Sequence, residues 1–301
     1  MTSIFDDIKH AFTQGGNAVT KLILINAIVF VSLILLRTLS YLSGFGAIYD
    51  FVTLNLGMPA YFFDFLYKPW TIITYCFTHE GFLHIIFNML NLYWFGQLIR
   101  EYLGNKKLVS LYFLGGLAGG ILYLLFYNLI PYFENRAAVA VMIGASASIL
   151  AIITAAATLL PDYTFNLLLL GPVRIKYIAA FLIVLSISGA VGDNAGGNIA
   201  HIGGAIIGFI FIKQLQRGVD MGKPIHAIGD FFTNLFSNRP KMKATFNASA
   251  PKNKTTASTR TNGNVRPDQS EIDVILDKIS ASGYESLTKE EKQKLFRASQ
   301  K

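Results

Sequence analysis

Residues 22–36 read Leu-Ile-Leu-Ile-Asn-Ala-Ile-Val-Phe-Val-Ser-Leu-Ile-Leu-Leu and contain no charged side chain. A helix that crosses the roughly 30 Å hydrocarbon core of a bilayer needs about 20 largely apolar residues, and this run with its flanks, 21–43, meets that length. The whole chain of 301 residues is 52% hydrophobic and 15% charged, whereas a soluble domain carries about 25% charged residues. The sequence therefore predicts a membrane protein, disfavours a soluble globule and excludes a disordered chain. The single cysteine, Cys76, excludes an internal disulfide.

Five further apolar blocks follow the first one. They cover residues 80–103, 107–130, 138–160, 173–191 and 197–216. The last three are rich in Ala, Gly and Ser, the small residues that let membrane helices approach closely. We predict an all-α polytopic membrane protein in which 21–217 form a six-helix bundle after a short N-terminal flank, 1–20. No small-residue cleavage site follows Leu36, so we interpret the first block as a retained helix.

Sparse basic residues orient the predicted helices, because short cytoplasmic loops of membrane proteins carry an excess of Lys and Arg. Basic residues lie before the first block, between the second and third, between the fourth and fifth, and after the sixth: Lys9, Lys21, Arg100, Lys106, Lys107, Arg174, Lys176, Lys213 and Arg217. The pattern predicts that both termini are cytoplasmic, in a multi-pass protein of the cell (inner) membrane. The outer segment 44–79 is rich in aromatic residues, and we expect it to lie in the membrane interface.

The polar end of the chain begins with a basic linker, predicted over 218–266. Residues 221–260 contain seven Lys or Arg residues and one acidic residue, Asp230. A basic stretch next to the last membrane helix favours contact with anionic lipid headgroups rather than with nucleic acid.

Residues 267–301 regain helical patterns after this linker. Ser270-Glu-Ile-Asp273 and Thr288-Lys-Glu-Glu291 are typical capping boxes, and Gly283 lies between them. We predict a small module of two helices around a hinge. The sequence names no partner for it, and a simple solubilising appendage is the alternative.

Polar side chains are rare in the predicted membrane helices and costly there, so each is a candidate for function. His84 and Asn88 are four residues apart and share one face of the second helix. Ser146 lies in the fourth block and His201 in the sixth. These three helices run from outside to inside, and the polar residues lie about four to eight positions from their outer ends. At 1.5 Å per residue, all are expected roughly 6–12 Å below the outer surface.

A serine, a histidine and further hydrogen-bond donors at one depth are the groups of a serine hydrolase. Histidine can take the proton that makes a serine hydroxyl nucleophilic, and nearby donors can stabilise the oxyanion that then forms. No carboxylate lies at this depth, so we predict a Ser146–His201 dyad. His84, Asn88 and the backbone N–H of Ser146 are the predicted oxyanion-hole donors.

Four segments together make the sequence resemble the rhomboid family of intramembrane serine proteases across roughly residues 20–216. These are Phe77-Thr-His-Glu-Gly-Phe-Leu-His-Ile-Ile-Phe-Asn88, Glu101-Tyr-Leu-Gly104, Gly144-Ala-Ser-Ala147 and Ala200-His-Ile-Gly-Gly-Ala-Ile-Ile-Gly208. The resemblance implies Ser146 as the nucleophile, His201 as general base and acid, and His84 with Asn88 in the oxyanion hole. It also implies close packing of the sixth helix on the fourth through Gly204 and Gly208.

The resemblance further implies the substrates of the protein. They would be single-span membrane proteins, cut near the outer end of their helices, and no metal or cofactor is expected. A helical tail like that of 267–301 occurs in some bacterial members of the family. Two other functions are a rhomboid-like pseudoprotease that binds membrane-protein clients without cutting them, and a transporter. The intact Ser, His, His and Asn set favours the protease, and the absence of a carboxylate relay in the sequence argues against transport.

Three positions depart from the family's pattern. Ala147 replaces the second glycine of the serine motif, which would place a methyl group beside the oxyanion site. Thr71 replaces an arginine that anchors a loop in many members, and Leu150 replaces an aromatic residue that often stacks on the catalytic histidine. We interpret His79, at the start of the second block, as a structural residue.

Overall fold

The computed structural model describes residues 17–167, 171–236, 269–282 and 286–299. The chain divides into two compact units, Met1–Arg239 and Pro240–Lys301. Both units are built mainly from helices, and the first also contains two short antiparallel sheets.

In the first unit the helices are α1 (Ala18–Leu42), α2 (Gly46–Leu56), α3 (Phe62–Tyr67), α4 (Thr71–Thr74), α5 (Phe82–Leu129), α6 (Glu134–Ala137), α7 (Ser146–Leu159), α8 (Ile175–Ser188), α9 (Ala195–Gln216) and α10 (Lys223–Phe236). The strands are β1 (Met58–Pro59), β2 (Val141–Met142), β3 (Thr164–Leu167) and β4 (Gly171–Arg174). Short 3-10 turns cover 75–77, 131–133 and 189–191.

The helix α5 covers most of the second and third predicted blocks. Its helical backbone conformation is interrupted at one residue. Gly104 has φ +82° and ψ 169°, a conformation that glycine adopts at little cost, while its neighbours remain helical. The adjacent Asn105 side chain accepts a 3.0 Å hydrogen bond from the backbone N–H of Ala18 at the start of α1. The break therefore separates 82–103 from 105–129 where the sequence predicted a connection between two helices.

Large apolar side chains are exposed along several helices. On α1 these include Val31, Leu35 and Leu39, and on α8 they include Phe181 and Val184. Soluble monomers rarely expose contiguous apolar surfaces of this kind, and lipid is the solvent that they suit. Among the described residues, α1, α5 and α9 are long and apolar enough to cross a membrane, while α7 and the apolar segment Ile175–Val191 are shorter.

The fourth helix begins later than the sequence predicted, at Ser146 instead of residue 138. Val141 and Met142 form the strand β2, which pairs antiparallel with Pro59 and Met58 of β1. This pairing supplies hydrogen-bond partners to extended backbone that would otherwise be unsatisfied. Hydropathy did not distinguish the segment from a helix, because its partner lies about eighty residues earlier in the chain.

The helix α7 is packed between α5 and α9 through small residues. A Cβ atom added at Gly204 would lie 2.1 Å from the Ala147 carbonyl oxygen, and one added at Gly208 would lie 2.2 Å from that of Ala151. On the other side, a Cβ atom at Gly115 would lie 2.5 Å from Ala151 Cβ. Glycine is thus the residue that lets both neighbours approach the backbone of α7.

The segment before α5 is anchored by side chains that reach the end of α2. The last carbonyls of a helix lack partners within it, and here the carbonyls of 54–56 accept hydrogen bonds from Lys68 Nζ (3.2 Å), Trp70 Nε1 (2.8 Å) and Thr74 Oγ1 (2.7 Å). Thr71 is buried and donates to the Lys68 carbonyl at 2.6 Å. Many members of the family anchor this loop with an arginine where this chain has Thr71. Here these contacts anchor the loop instead.

A helix, α10, forms inside the segment that the sequence analysis assigned to the linker 218–266. An ion pair between Lys107 and Asp220 holds the start of this region to α5. The hydrogen bond from Lys107 lowers the pKa of the Asp220 carboxyl below its ordinary value. Nearby, the Ser110 hydroxyl lies 3.4 Å from Nε2 of His226. The remainder of the predicted linker, 237–266, lies outside the described residues.

The second unit contains α11 (Gln269–Ser282) and α12 (Lys289–Ser299). At the start of α12 the Glu291 carboxylate accepts from the Thr288 backbone N–H at 2.7 Å, and Thr288 Oγ1 accepts from the Glu291 N–H at 3.3 Å. These are the two reciprocal bonds of a capping box. The helix α11 begins one residue before Ser270, and Gly283 lies outside the described residues.

Candidate active site

Ser146 and His201 are 55 positions apart in sequence and in contact in the fold. Ser146 is the first residue of α7, and His201 lies in the N-terminal half of α9. Nε2 of His201 is 2.6 Å from the Ser146 Oγ. This distance is that of a short hydrogen bond between a hydroxyl group and an imidazole nitrogen.

The loop before Ser146 explains how the serine is presented. Gly144 has φ +120°, a conformation that L side chains rarely adopt, and its N–H donates to the Tyr75 carbonyl at 2.9 Å. A Cβ atom at Gly144 would lie 2.9 Å from both Cε1 and Nε2 of His84. Glycine is therefore required at this position by both the backbone conformation and the His84 ring. The turn leaves Ser146 at a helix start, where backbone N–H groups have no carbonyl partner within the helix.

His79, which was interpreted from the sequence as a structural residue, contacts the same loop. Its side chain is 2% exposed, and its Nε2 accepts a hydrogen bond of 3.4 Å from the backbone N–H of Ala145. Its ring lies 5.0 Å from that of His84, centroid to centroid, at an interplanar angle of 65°. His79 and His84 both lie in the family segment 77–88, and their spacing there was the sequence signal for this contact.

His84 and Asn88 line two cavities that meet at Ser146. His84 and Ser146 share a cavity of about 670 Å³, which Tyr123, Glu80 and Asp193 also line. Such a volume suits a chain segment or a small ligand. Asn88 lines the second cavity, which is smaller, about 160 Å³, together with Ser146 and His201.

The Asn88 side chain is buried and partly committed to its own helix. Its Nδ2 donates to the His84 carbonyl at 2.9 Å. An amide nitrogen carries two hydrogens, so the second can serve a ligand that enters the smaller cavity. The structure thus brings the four predicted polar residues around one point, with Ser146 common to both cavities.

Ser186 is part of this cluster, although no sequence pattern predicted it. It lies on α8, is buried, and donates its hydroxyl hydrogen to the Leu182 carbonyl at 2.8 Å. Its Oγ is 3.2 Å from Nδ1 of His201. No motif marked it, because a single serine in an apolar helix is ordinarily read as a packing residue.

The positions that depart from the family pattern also have defined surroundings. The methyl group of Ala147 faces α5, since a Cβ atom at Gly119 would lie 2.7 Å from Ala147 Cβ. The expectation that this methyl group also lies beside the oxyanion site stays a prediction. Leu150 is buried and lines the smaller cavity along with His201.

Comparison with known protein families identifies the family to which the chain belongs. The Rhomboid domain model matches residues 67–217, half of the sequence, and a second model, a family of unknown function called DUF6576, matches 255–301. The protein belongs to the rhomboid family, and its exposed apolar helices are those of a membrane protein.

Curated relatives support this assignment. The chain is 30% identical over 159 residues to the mitochondrial RHOMBOID-like protein 12 of Arabidopsis thaliana (49% of this chain, 47% of the relative). It is 28% identical over 174 residues to the mitochondrial Rhomboid protein 1 of Saccharomyces cerevisiae (56% and 49%). It is also 32% identical over 85 residues to the Inactive RHOMBOID-like protein 8 of Arabidopsis thaliana (28% and 24%). The chain spans about half the length of the first two relatives.

Proposed function

We propose that the protein is an intramembrane serine endopeptidase that cuts transmembrane protein substrates near the outer ends of their helices. The observation that carries the proposal is the 2.6 Å contact between His201 Nε2 and Ser146 Oγ, at the junction of two cavities. Membership of the rhomboid family supports the choice of peptide substrates within membranes.

In the first half of the proposed reaction, the Ser146 oxygen attacks the scissile carbonyl carbon while its proton moves to Nε2 of His201. The carbonyl oxygen becomes an oxyanion, which accepts hydrogen bonds from His84, Asn88 and the Ser146 backbone N–H. Removing one such donor typically costs about 2.7–4 kcal/mol of transition-state stabilisation. His201 then returns the proton to the amine nitrogen, the C–N bond breaks, and an acyl-enzyme remains.

In the second half, a water molecule attacks the acyl carbon and gives its proton to His201. The C–O bond to Ser146 breaks, the serine takes the proton back, and the carboxylic acid product leaves. The larger cavity is the proposed route for this water and for the substrate backbone.

The proposed topology has six spans in the cell membrane, with both termini cytoplasmic. The residues 82–103 and 105–129 on either side of Gly104 are separate spans, and α7 and α8 cross a locally thinned bilayer. Short spans impose a modest cost that thinning or flanking residues can accommodate. We further propose the division into 1–20, 21–217, 218–266 and 267–301, with anionic lipid beside the basic residues of 221–260.

A pseudoprotease that retains membrane-protein clients is the second candidate function. It is favoured by the similarity to a relative whose name describes it as inactive. The contact between Ser146 and His201 supports the protease instead, because a protein that only binds clients has no need of that hydrogen bond.

The test is covalent labelling of the purified full chain in detergent with a fluorescent fluorophosphonate, together with cleavage of a single-span model substrate. We expect the wild-type protein to be labelled and to cut, and Ser146→Ala and His201→Ala to do neither. The matched control is Ser148→Ala, the same change two residues along α7 at a buried site, which should keep both activities. A wild-type protein that folds but neither reacts nor cuts would favour the pseudoprotease, and labelling of Ser146→Ala would place the nucleophile elsewhere.

A further inference from the structure

A histidine that takes a proton through Nε2 must carry its own hydrogen on Nδ1. A neutral imidazole has one N–H, and the group bonded to the other nitrogen decides which tautomer forms. In many serine hydrolases a carboxylate holds Nδ1–H. Among the described residues around His201, the group 3.2 Å from Nδ1 is the hydroxyl of Ser186.

The hydrogen bonds of Ser186 favour one direction for this contact. A serine hydroxyl has one hydrogen to donate and two lone pairs that accept. The hydrogen is directed to the Leu182 carbonyl at 2.8 Å. With its hydrogen on that carbonyl the oxygen accepts from His201, and this arrangement places the hydrogen between them on Nδ1. The opposite nitrogen, Nε2, is left with a free lone pair 2.6 Å from the Ser146 Oγ.

We propose that Ser186 is a positioning residue that holds His201 in the tautomer protonated at Nδ1 and aims its Nε2 at Ser146. The assignment rests on the proposed protease function for its catalytic meaning. Ser186 contacts the Nδ1 side of the His201 ring, and it acts through His201. The three side chains form a Ser–His–Ser chain that spans α8, α9 and α7.

The position of Ser186 on α8 is itself fixed from α9. Asn198 donates a 3.0 Å hydrogen bond from Nδ2 to the Gly189 carbonyl at the C-terminal end of α8. A Cβ atom at Gly189 would lie 2.4 Å from that nitrogen, so the side chain and the backbone are in close contact. Asn198 and His201 are three residues apart, and Ser186 and Gly189 are likewise three apart. The two hydrogen bonds therefore join the same faces of the two helices about one turn apart.

The consequence of losing the Ser186 hydroxyl follows from this geometry. Without an acceptor at Nδ1, His201 would populate both tautomers and more ring orientations. In the tautomer protonated at Nε2 it cannot take the Ser146 proton. Removing the group that orients a functional histidine typically costs tenfold to a hundredfold in activity at metal sites, and we expect a loss of about this size in kcat, with KM for the model substrate unchanged.

The test uses the full chain in detergent micelles with ¹⁵N-labelled histidine. The His201 ring signals are identified by their absence from His201→Gln, and the ¹⁵N shifts tell which ring nitrogen carries the hydrogen. We expect Nδ1–H in the wild type, a mixture of tautomers in Ser186→Ala, and recovery of Nδ1–H in Ser186→Thr. Threonine retains the hydroxyl and its bond to the carbonyl four residues earlier, and the adjacent 160 Å³ cavity can take its methyl group. The matched control is Ser188→Ala, an exposed serine on the same helix, which should leave the tautomer unchanged.

The kinetic arm measures kcat, KM and the fluorophosphonate labelling rate for the same variants. A wild type protonated at Nε2, or a Ser186→Ala variant with unchanged tautomer and kcat, would overturn the assignment. If the wild type shows the expected tautomer and its loss in Ser186→Ala but never labels or cuts, the protease proposal fails and the structural role of Ser186 stands.

Discussion

The helices α7 and α8 have the same length, 14 residues, but α7 is enclosed by the protein and α8 is largely exposed. Eleven residues of α7 are buried, whereas on α8 only Ile175, Ala179 and Ser186 are buried. Both helices are strongly apolar, so hydropathy alone would treat them alike. Ser146 is the first residue of the buried helix, and Ser186 is a buried polar residue of the exposed one.

The difference lies in the size of the side chains. Alanine, serine and threonine make up half or more of α7, and glycines of α5 and α9 face it. The exposed positions of α8 carry Phe181, Val184, Leu185 and Ile187. In a bilayer, lipid is as apolar as leucine, so association of helices depends on close packing of small residues. Small residues therefore mark the helix that is enclosed, and large residues mark the helix that faces lipid.

The largest effect is expected from a substitution that blocks the close contact between α9 and α7. In Gly204→Ala the new Cβ atom would lie 2.1 Å from the Ala147 carbonyl oxygen, so the two backbones must separate. We expect a loss of stability of about 1–3 kcal/mol or more, and loss of fluorophosphonate labelling, because His201 lies on the same helix. Thermal unfolding in detergent measures the first effect. The control is Gly229→Ala, where nothing lies within 4 Å of the added atom; equal destabilisation of both variants would contradict the interpretation.

A second pair of variants tests the burial contrast directly. Ala151 on α7 is fully buried, and Ala180 on α8 is exposed. We expect Ala151→Leu to destabilise the protein by about 1–3 kcal/mol through overpacking, and Ala180→Leu to change stability by less than about 0.5 kcal/mol. Unfolding in a denaturing detergent compares the two. Similar losses for both variants would show that α8 is enclosed as closely as α7.

A smaller effect is expected where α8 is attached to α9. In Asn198→Ala the hydrogen bond to the Gly189 carbonyl is lost, at a cost of about 1 kcal/mol. Faster hydrogen exchange at the C-terminal end of α8, with unchanged exchange in α7, is the expected result by mass spectrometry. Asn55→Ala provides the control, because that side chain bonds within its own helix, to the Phe51 carbonyl. No change in α8 would mean that other contacts hold its end.

The smallest effect concerns pH and the other end of α8. Asp162 contacts Lys176 Nζ at 2.7 Å and Arg174 Nη1 at 3.2 Å, and the hydrogen bond and charge of Lys176 lower the pKa of Asp162 below its ordinary 3.8. A carboxyl with a lowered pKa contributes stability above its ordinary pKa and loses that contribution as the pH falls through the lowered value. Hydrogen-exchange protection at the start of α8 should therefore decrease slightly below about pH 3.8 in the wild type. In Asp162→Asn protection should be low throughout, with no such step, and a step that persists would assign it to another group.

The sequence predicted the parts of this molecule that depend on local composition. Apolar blocks gave the approximate positions of α1, α8 and α9, and the Thr288 capping box is present with both of its hydrogen bonds. The polar residues Ser146 and His201 were predicted to meet, and the structure places them in contact. Their catalytic roles stay predictions, which the labelling experiment tests.

What the sequence could not predict depends on contacts between distant residues. The helix α7 starts at Ser146 because 141–142 pair with 58–59, and such pairing leaves no local pattern in an apolar segment. Ser186 lies near His201 because of how α8 is placed on α9, which no motif encodes. The helix α10 was missed because its segment has the composition of a basic linker, and the ion pair of Lys107 with Asp220 that holds the start of this region to α5 joins residues far apart in the sequence.

The meeting of Ala147 with Gly119 has a consequence for how closely three helices approach one another. A Cβ atom added at Gly119 would lie 2.7 Å from the Ala147 Cβ on α7 and 2.9 Å from the Ala200 carbonyl oxygen on α9. The first contact is with a methyl group that a glycine at 147 would remove, and the second is with backbone, which no substitution at 147 removes. Gly119 is therefore constrained from two sides, and a change of residue 147 does not by itself make room for an alanine at 119.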